Sequence, residues 1–302
     1  MPSYAYFKKK FLPLAEANIN IMTHALHYGT AIFEGIRGNW NEEKQQTYIF
    51  RLKEHYQRLK NGSRLLKIDL PSVEEMSNIT VELVKKCDFK EDIYIRPLAY
   101  KSSEALGVRL HNLESDFAVF AVPWGAYLDM DSCKVSVSSW RRPADNVIPP
   151  QLKATGLYLN NAFTKTEAQE NGFDEGIMLS PDGYVSEGSG ENIFLFKNDQ
   201  LVTPPVYNSI LVGITRDAII KLAKNELGLE TAERPIVRAE LYSADECFLT
   251  GTAAHLTPVS QIDRRPIGEQ EIGPVTAKLQ KLYFDVIQGK NPKYMEWCTP
   301  VY

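Results

Sequence analysis

Pro123-Trp124-Gly125-Ala126-Tyr127-Leu128-Asp129-Met130-Asp131 is where this 302-residue chain divides. A strand pattern ends at Val122, proline and glycine break it, and acidic residues follow, so the stretch reads as a connector. It predicts a small N-terminal α/β domain over 1–123, a linking loop over 124–131 and a larger domain over 132–302.

On the N-terminal side, Tyr48–Phe50 suits a strand and leads into a helix whose Leu52, Tyr56 and Leu59 share one face. Ser72, with Glu75 three residues on, is a capping box and predicts a helix to about Lys86. Strands are expected over Ile93–Ala99 and Phe117–Val122, completing a small α+β unit. Beyond the connector, Val135–Trp140 reads as a strand, and Arg141–Gln151, with three prolines, as irregular chain. A helix over Leu157–Glu170 closes at Asn171-Gly172. Short strands around Gly176–Leu179, Asn192–Phe196 and Gln200–Val202 make this domain β-rich. Helices are expected from the polar cap Thr215 to Leu227, stopping at Gly228, and over Pro274–Gln288.

Hydrophobic residues make up 44% and charged residues 24% of the chain, enough apolar surface for a substantial core. A net charge of −4 gives no footprint for nucleic acid. The first residues lack the apolar core of a signal peptide, and no run approaches the roughly 20 apolar residues that span a bilayer. Cys87, Cys133, Cys247 and Cys298 are far apart with no CxxC pair, as expected of reduced thiols in a cytoplasmic protein. His24 and His27, three apart, have no acidic neighbour to complete a metal site, so no metal is expected. There is no GxGxxG, GxxxxGK[ST] or GxSxG.

Three loops combine glycine with hydroxyl or charged residues. Gly213-Ile214-Thr215-Arg216-Asp217 opens a helix, and helix N-terminal N–H groups hold anions, although an ordinary cap has the same sequence. Gly251-Thr252-Ala253-Ala254 follows the apolar Cys247-Phe248-Leu249 and suits either close ligand approach or a plain turn. Ser186-Glu187-Gly188-Ser189-Gly190-Glu191-Asn192 offers an acid for a general base, a metal ligand or a protonated ring nitrogen, or only a solvated turn. Lys153, in Pro149-Pro150-Gln151-Leu152-Lys153-Ala154-Thr155-Gly156, is bracketed by proline, leucine and small residues. Burial there would ease loss of its proton, as a nucleophilic lysine requires.

Taken in order, His24-Ala25-Leu26-His27-Tyr28-Gly29-Thr30, Phe33-Glu34-Gly35-Ile36-Arg37, the Lys153 segment, Ser186–Asn192, Gly213–Asp217 and Gly251-Thr252-Ala253 make a pattern. The chain resembles the fold-type IV pyridoxal-phosphate enzymes, most closely the bacterial branched-chain amino acid aminotransferases, almost from end to end. The resemblance implies a two-domain α/β (α+β) fold with a pseudo-barrel C-terminal domain and the cofactor in the cleft between domains. It implies that Lys153 carries pyridoxal 5′-phosphate and acts as the catalytic base. Glu187 would pair with the ring nitrogen and Tyr158 with the phenolic oxygen. Arg58, Ile214, Thr215 and Thr252 would hold the phosphate, with Gly190 and Leu211 also lining the cofactor. Thr252, Ala253 and Tyr94 would take the substrate α-carboxylate. Tyr28, Phe33, Trp124 and Tyr127 would form an apolar pocket, and Arg96, with Tyr28, would receive the distal carboxylate of glutamate.

The implied reaction moves amino groups between leucine, isoleucine or valine and 2-oxoglutarate, in a homodimer or a trimer of dimers. Thr155 stands where many relatives have glycine, and His255 where an acidic residue is common. A D-amino acid aminotransferase or an aminodeoxychorismate lyase would share Lys153 and Glu187. Tyr94-Ile95-Arg96-Pro97-Leu98 and Pro123–Tyr127 favour the branched-chain group. A non-catalytic binding protein would be expected to have lost the lysine, the glutamate or the phosphate cradle.

Overall fold

Alternation along Ile93–Lys101 organises the first half of the chain. Ile93 and Ile95 are fully buried, while Tyr94 and Arg96 point to the other, half-buried face. A computed structural model describes residues 3–125, 128 and 131–302. The chain divides into two compact units, one of 1–125, 153–157 and 285–302, the other of 126–152 and 158–284. The sequence plan, with its single linker at 124–131, contains neither the short segment 153–157 nor the C-terminal segment in the first unit.

The first unit is built on an antiparallel eight-stranded sheet. Its strands are β1 (Tyr4–Phe7), β2 (Lys10–Pro13), β3 (Ala31–Phe33), β4 (Ile36–Asn41), β5 (Gln46–Phe50), β6 (Ile93–Lys101), β7 (Ser115–Pro123) and the C-terminal strand Cys298–Pro300. The spatial order runs from Cys298–Pro300 through β5, β4, β6, β7 and β1 to β2, with β3 also on β6. One edge of β6 is shared: β4 pairs with Ile93–Ile95 and β3 with Leu98–Tyr100. Pro97, which has no N–H to give, falls between those pairings, and its carbonyl accepts the Glu34 N–H at 3.0 Å. The Glu34-Gly35 turn therefore leaves the ladder opposite this proline.

Helices α1 (His24–Tyr28), α2 (Leu52–Ser63) and α3 (Val73–Cys87) complete the unit. Leu52, Tyr56 and Leu59 are buried on one face of α2, as their spacing predicts. The Ser72 side chain caps α3 by accepting from the Glu75 N–H at 3.0 Å. Asp88 ends that helix in the left-handed conformation, φ +53°.

The second unit is a mixed nine-stranded half-barrel sheet: β8 (Cys133–Arg141), β9 (Glu175–Leu179), β10 (Val185–Gly188), β11 (Asn192–Lys197), β12 (Gln200–Thr203), β13 (Thr231–Glu233), β14 (Glu246–Gly251), β15 (His255–Ile262) and β16 (Arg265–Pro266). Their order is β10-β9-β8-β15-β14-β11-β12-β13, with β16 on β15. The β8–β9, β8–β15 and β12–β13 pairs are parallel. Val135, Ile177, Val185, Ile193, Leu195, Leu249 and Val259 fill its core. Helices α4 (Tyr158–Glu170), α5 (Ile214–Leu227), α6 (Arg238–Leu241) and α7 (Pro274–Ile287) surround it. Among the described residues, no helix is long and apolar enough to cross a membrane.

One boundary differs in kind. The sequence pattern makes the polar Thr215 the cap of α5, but the helix begins at Ile214 with Gly213 as its N-cap and no side-chain cap bond. The Gly213 position is tight: a Cβ there would lie 1.9 Å from Asn192 Oδ1, which a larger residue would have to displace.

Candidate active site

The expected site residues fall into a group in each unit. In the first unit, Lys153 is strapped to β3: its carbonyl accepts the Phe33 N–H at 3.1 Å, and Ala154 bridges to Ile32. Lys153 Nζ stands 5.1 Å from the centre of the Phe33 ring. Thr155, the departure noted in the sequence, places its hydroxyl 3.1 Å from the Gly29 carbonyl and 3.3 Å from that of Ala31. It thus adds a tie between the lysine segment and the chain entering β3.

Arg58, on α2, meets Glu34. Its Nε donates to Glu34 Oε1 and its Nη2 to Oε2, both at 2.7 Å. His55, one turn earlier, donates from Nδ1 to Oε2 at 2.7 Å. Glu34 and His55 are 0% and 1% exposed. Burial pushes the Glu34 carboxyl up, but the Arg58 guanidinium and the His55 hydrogen bond outweigh it and hold the group down at about 2. Burial lowers His55, opposed by Glu34 and assisted by the Arg58 and Lys153 cations.

Arg96 and Tyr94, on the same face of β6, are joined by an Arg96 Nη2 to Tyr94 Oη bond of 3.1 Å. The Arg96 guanidinium lies 4.5 Å over the Phe33 ring, and its Nε is buried without a hydrogen-bond partner. Gly35 makes room for this cluster, since a Cβ there would lie 2.0 Å from Tyr94 Oη. Trp124 packs on Tyr94 at 5.4 Å, and Arg37 holds the Trp124 and Gly125 carbonyls at 2.5 and 2.6 Å. Phe33, Tyr94, Arg96 and Trp124 are thus together. Tyr28 is placed otherwise: its hydroxyl accepts the Gly107 N–H at 3.0 Å and its ring packs on His24 at 4.6 Å. Tyr127 lies outside the described residues.

In the second unit the three loops singled out by sequence are gathered. Glu187, 5% exposed, pairs with Arg142 Nη2 at 2.7 Å. It also accepts from Asn192 Nδ2 at 3.1 Å and from the Leu211 N–H at 2.9 Å. Asn192 stands against Gly213, and a Cβ on Gly251 would lie 3.1 Å from the Gly190 carbonyl. The Glu187 loop, the N-terminus of α5 with its buried Ile214 and Thr215, and the Gly251-Thr252 strand end are therefore neighbours. Arg142 Nη1 donates to Asn161 Oδ1 at 3.0 Å, and Asn161 donates to the Ser189 carbonyl. Tyr158 and Ala253, the remaining predicted residues here, are half-buried.

Below the same loop lies a carboxyl pair. Glu175 accepts from Lys165 Nζ at 2.9 Å and the Ser189 N–H at 3.3 Å. Glu191 accepts the Gly190 N–H at 3.0 Å. Burial and the adjacent Glu175 charge push Glu191 above the ordinary carboxylate range. His255, the second departure, is buried with φ +57° against Tyr283 and Phe284.

Each unit by itself holds donors of a kind that a phosphorylated, ring-nitrogen cofactor uses: the second a buried carboxylate beside an uncapped helix N-terminus, the first a lysine amine and a guanidinium. Glu34, His55, Arg142 and Asn161 went unassigned in the sequence, because the partners that give them roles are distant in the chain. His24 and His27 bond to Thr30, Gly107 and Ile21. Among the described residues, no group of three or more His, Cys, Asp or Glu is arranged to hold a metal ion.

Comparison with known proteins agrees with this donor chemistry. The amino-transferase class IV family matches residues 31–262. A probable branched-chain-amino-acid aminotransferase of Aquifex aeolicus (strain VF5) is 51% identical over 301 residues, 99% of this chain and 97% of that protein. The branched-chain aminotransferase of Thermoproteus uzoniensis, solved with norvaline, superposes with a TM-score of 0.96 at 41% identity over 100% of both chains. The branched-chain amino acid aminotransferase of Thermobaculum terrenum, solved in its PLP-form (holo-form), gives 0.95 at 37% identity over 100% of this chain and 99% of that one. On these matches the chain belongs to the class IV aminotransferases, within the branched-chain aminotransferase family.

Proposed function

We propose that this enzyme transfers amino groups between branched-chain L-amino acids (leucine, isoleucine, valine) and 2-oxoglutarate, giving branched-chain 2-oxo acids and L-glutamate. The cofactor is pyridoxal 5′-phosphate, as in the holo-form of the Thermobaculum terrenum relative. The carrying observation is Arg96 lying over Phe33 with a buried, unpartnered Nε. One site must accept both an aliphatic chain and a second carboxylate. An aromatic wall capped by a guanidinium offers both.

Lys153 would carry the cofactor, with Glu187 at its ring nitrogen and Tyr158 at its phenolic oxygen. Arg58, the Ile214 and Thr215 N–H groups and Thr252 would hold its phosphate, beside Gly190 and Leu211. When bound, it supplies a carbonyl carbon that takes up the amino group and a ring that draws charge from the substrate α-carbon. Lys153 would act as the base that takes the proton from the substrate α-carbon. Arg142, paired with Glu187 at 2.7 Å, would orient that carboxylate for the ring nitrogen. Tyr94 and the N–H groups of Thr252 and Ala253 orient the α-carboxylate. Phe33 and Trp124, with Tyr127, take the side chain.

The test is the visible absorption of the purified protein. A yellow band that bleaches on L-leucine and returns with 2-oxoglutarate is expected; a band that ignores L-leucine and answers to D-alanine would reject the substrate assignment. A homodimer, or a trimer of dimers, is part of this reading. Exposed Ile21, Leu26, Leu106 and Val108 in the first unit support it, and light scattering in solution tests it. A cytoplasmic location is supported by four free, buried cysteines.

A further inference from the structure

We propose that the buried Glu34–His55 pair is a positioning device for Arg58, fixing which edge of its guanidinium meets the cofactor phosphate. This rests on the assignment of Arg58 to that phosphate.

The geometry is a side-on fork. Nε and Nη2 of Arg58 each sit 2.7 Å from a different oxygen of Glu34. Such pairing sets both the plane and the rotation of the guanidinium, and directs its end-on Nη1–Nη2 edge away from the carboxylate. His55 and Arg58 are three apart on α2 and therefore on one face. A carboxylate oxygen can only accept, so His55 donates from Nδ1, which fixes the second oxygen of Glu34 in turn. Glu34 is itself placed by Pro97, through the bond to its backbone N–H.

The charges make the inference testable by sign. Glu34 is anionic, Arg58 cationic and His55, lowered by burial, neutral, so the trio carries no net charge. A guanidinium neutralised in this way attracts a dianion less at long range than an unpaired one. If Glu34 served only to neutralise a buried arginine, E34Q would tighten phosphate binding. If it serves to aim the arginine, E34Q weakens it, because an amide offers the fork one acceptor and one clashing donor.

The experiment removes the cofactor from the full-length holoenzyme and titrates back pyridoxal 5′-phosphate and, separately, pyridoxal, which lacks the phosphate. E34Q is expected to weaken pyridoxal phosphate on the order of tenfold, as loss of a charge-assisted bond does, while pyridoxal affinity stays unchanged. The ³¹P resonance of the bound cofactor should shift. H55N, whose side-chain amide places a donor near the Nδ1 position, should keep the wild-type preference for pyridoxal phosphate over pyridoxal, and H55A should lose part of it. E34Q binding pyridoxal phosphate as tightly as the wild type, or more tightly, overturns the proposal. If E34Q does not fold, the histidine variants decide, and a preference equal in H55A and H55N overturns it. R58M separates the two layers: an intact preference in that variant removes Arg58 from the phosphate, a failure of the underlying assignment rather than of the positioning.

Discussion

The Phe33 N–H and the Lys153 carbonyl are hydrogen bonded at 3.1 Å, so the backbone of the lysine segment is strapped to the first sheet independently of the lysine amine. The two functions of the residue are therefore separable. K153A should abolish turnover and the yellow band while changing stability by less than about 1 kcal/mol, since the strap is retained. Circular dichroism with thermal melting, beside a leucine assay, checks this. Measurable turnover in K153A would remove it from the chemistry.

Arg142 and Glu187 form a buried ion pair at 2.7 Å, and loss of one partner leaves the other charge stranded. R142M should cost about 3–5 kcal/mol of stability by denaturant titration. E187Q keeps an acceptor for Arg142, so it should fold better than R142M while slowing the leucine half-reaction by roughly 100-fold or more. A rate equal to the wild type would take Glu187 away from the ring nitrogen.

Gly35 has no room for a methyl group, because Tyr94 Oη occupies the place of its Cβ. G35A is expected to push the Tyr94–Arg96 pair aside and raise KM for leucine and glutamate by about tenfold, with a smaller loss in kcat. Y94F, which removes the hydroxyl without crowding, should raise KM for both substrates as well. Steady-state kinetics that separate KM from kcat are the check, and G35A kinetics like the wild type would refute the crowding.

Burial and the Glu175 charge keep a proton on Glu191 in the folded protein at a pH where the unfolded chain has released it. A raised carboxyl pKa means that the unfolded state binds fewer protons, so stability falls as pH rises above the ordinary carboxylate range. E191Q, neutral throughout, should flatten that slope and melt higher than the wild type at mildly alkaline pH. Melting curves at acid and alkaline pH measure it; parallel slopes for both proteins would show that Glu191 is not the group responsible.

Features written in neighbouring residues were legible in the sequence. Ser72 and Glu75 specify the start of α3 because cap and acceptor are three residues apart, and Leu52, Tyr56 and Leu59 mark one face of α2. The three loops could be found one at a time by their glycines, but not as neighbours. Their meeting depends on Asn192 against Gly213 and on Gly190 against Gly251, contacts with no local signal. Arg142 lay in a proline-rich stretch read as irregular, with nothing nearby to name Glu187 as its partner. Glu34 stood inside a quoted motif without a role, because its role belongs to α2. The placement of Lys153–Leu157 in the first unit was equally hidden, as the bridge from Ala154 to Ile32 spans most of that unit's sequence.

The strand Cys298–Pro300 lies against Gln46–Phe50, and the Arg51 N–H reaches the Trp297 carbonyl. During synthesis on the ribosome, β5 therefore waits with an open edge while the whole second unit is translated. Contacts so distant in sequence slow folding and leave a strand available for wrong pairing in the meantime. A chain cut just before residue 285 would keep every residue assigned to the cofactor and yet expose that edge permanently. Its failure would be aggregation rather than lost chemistry.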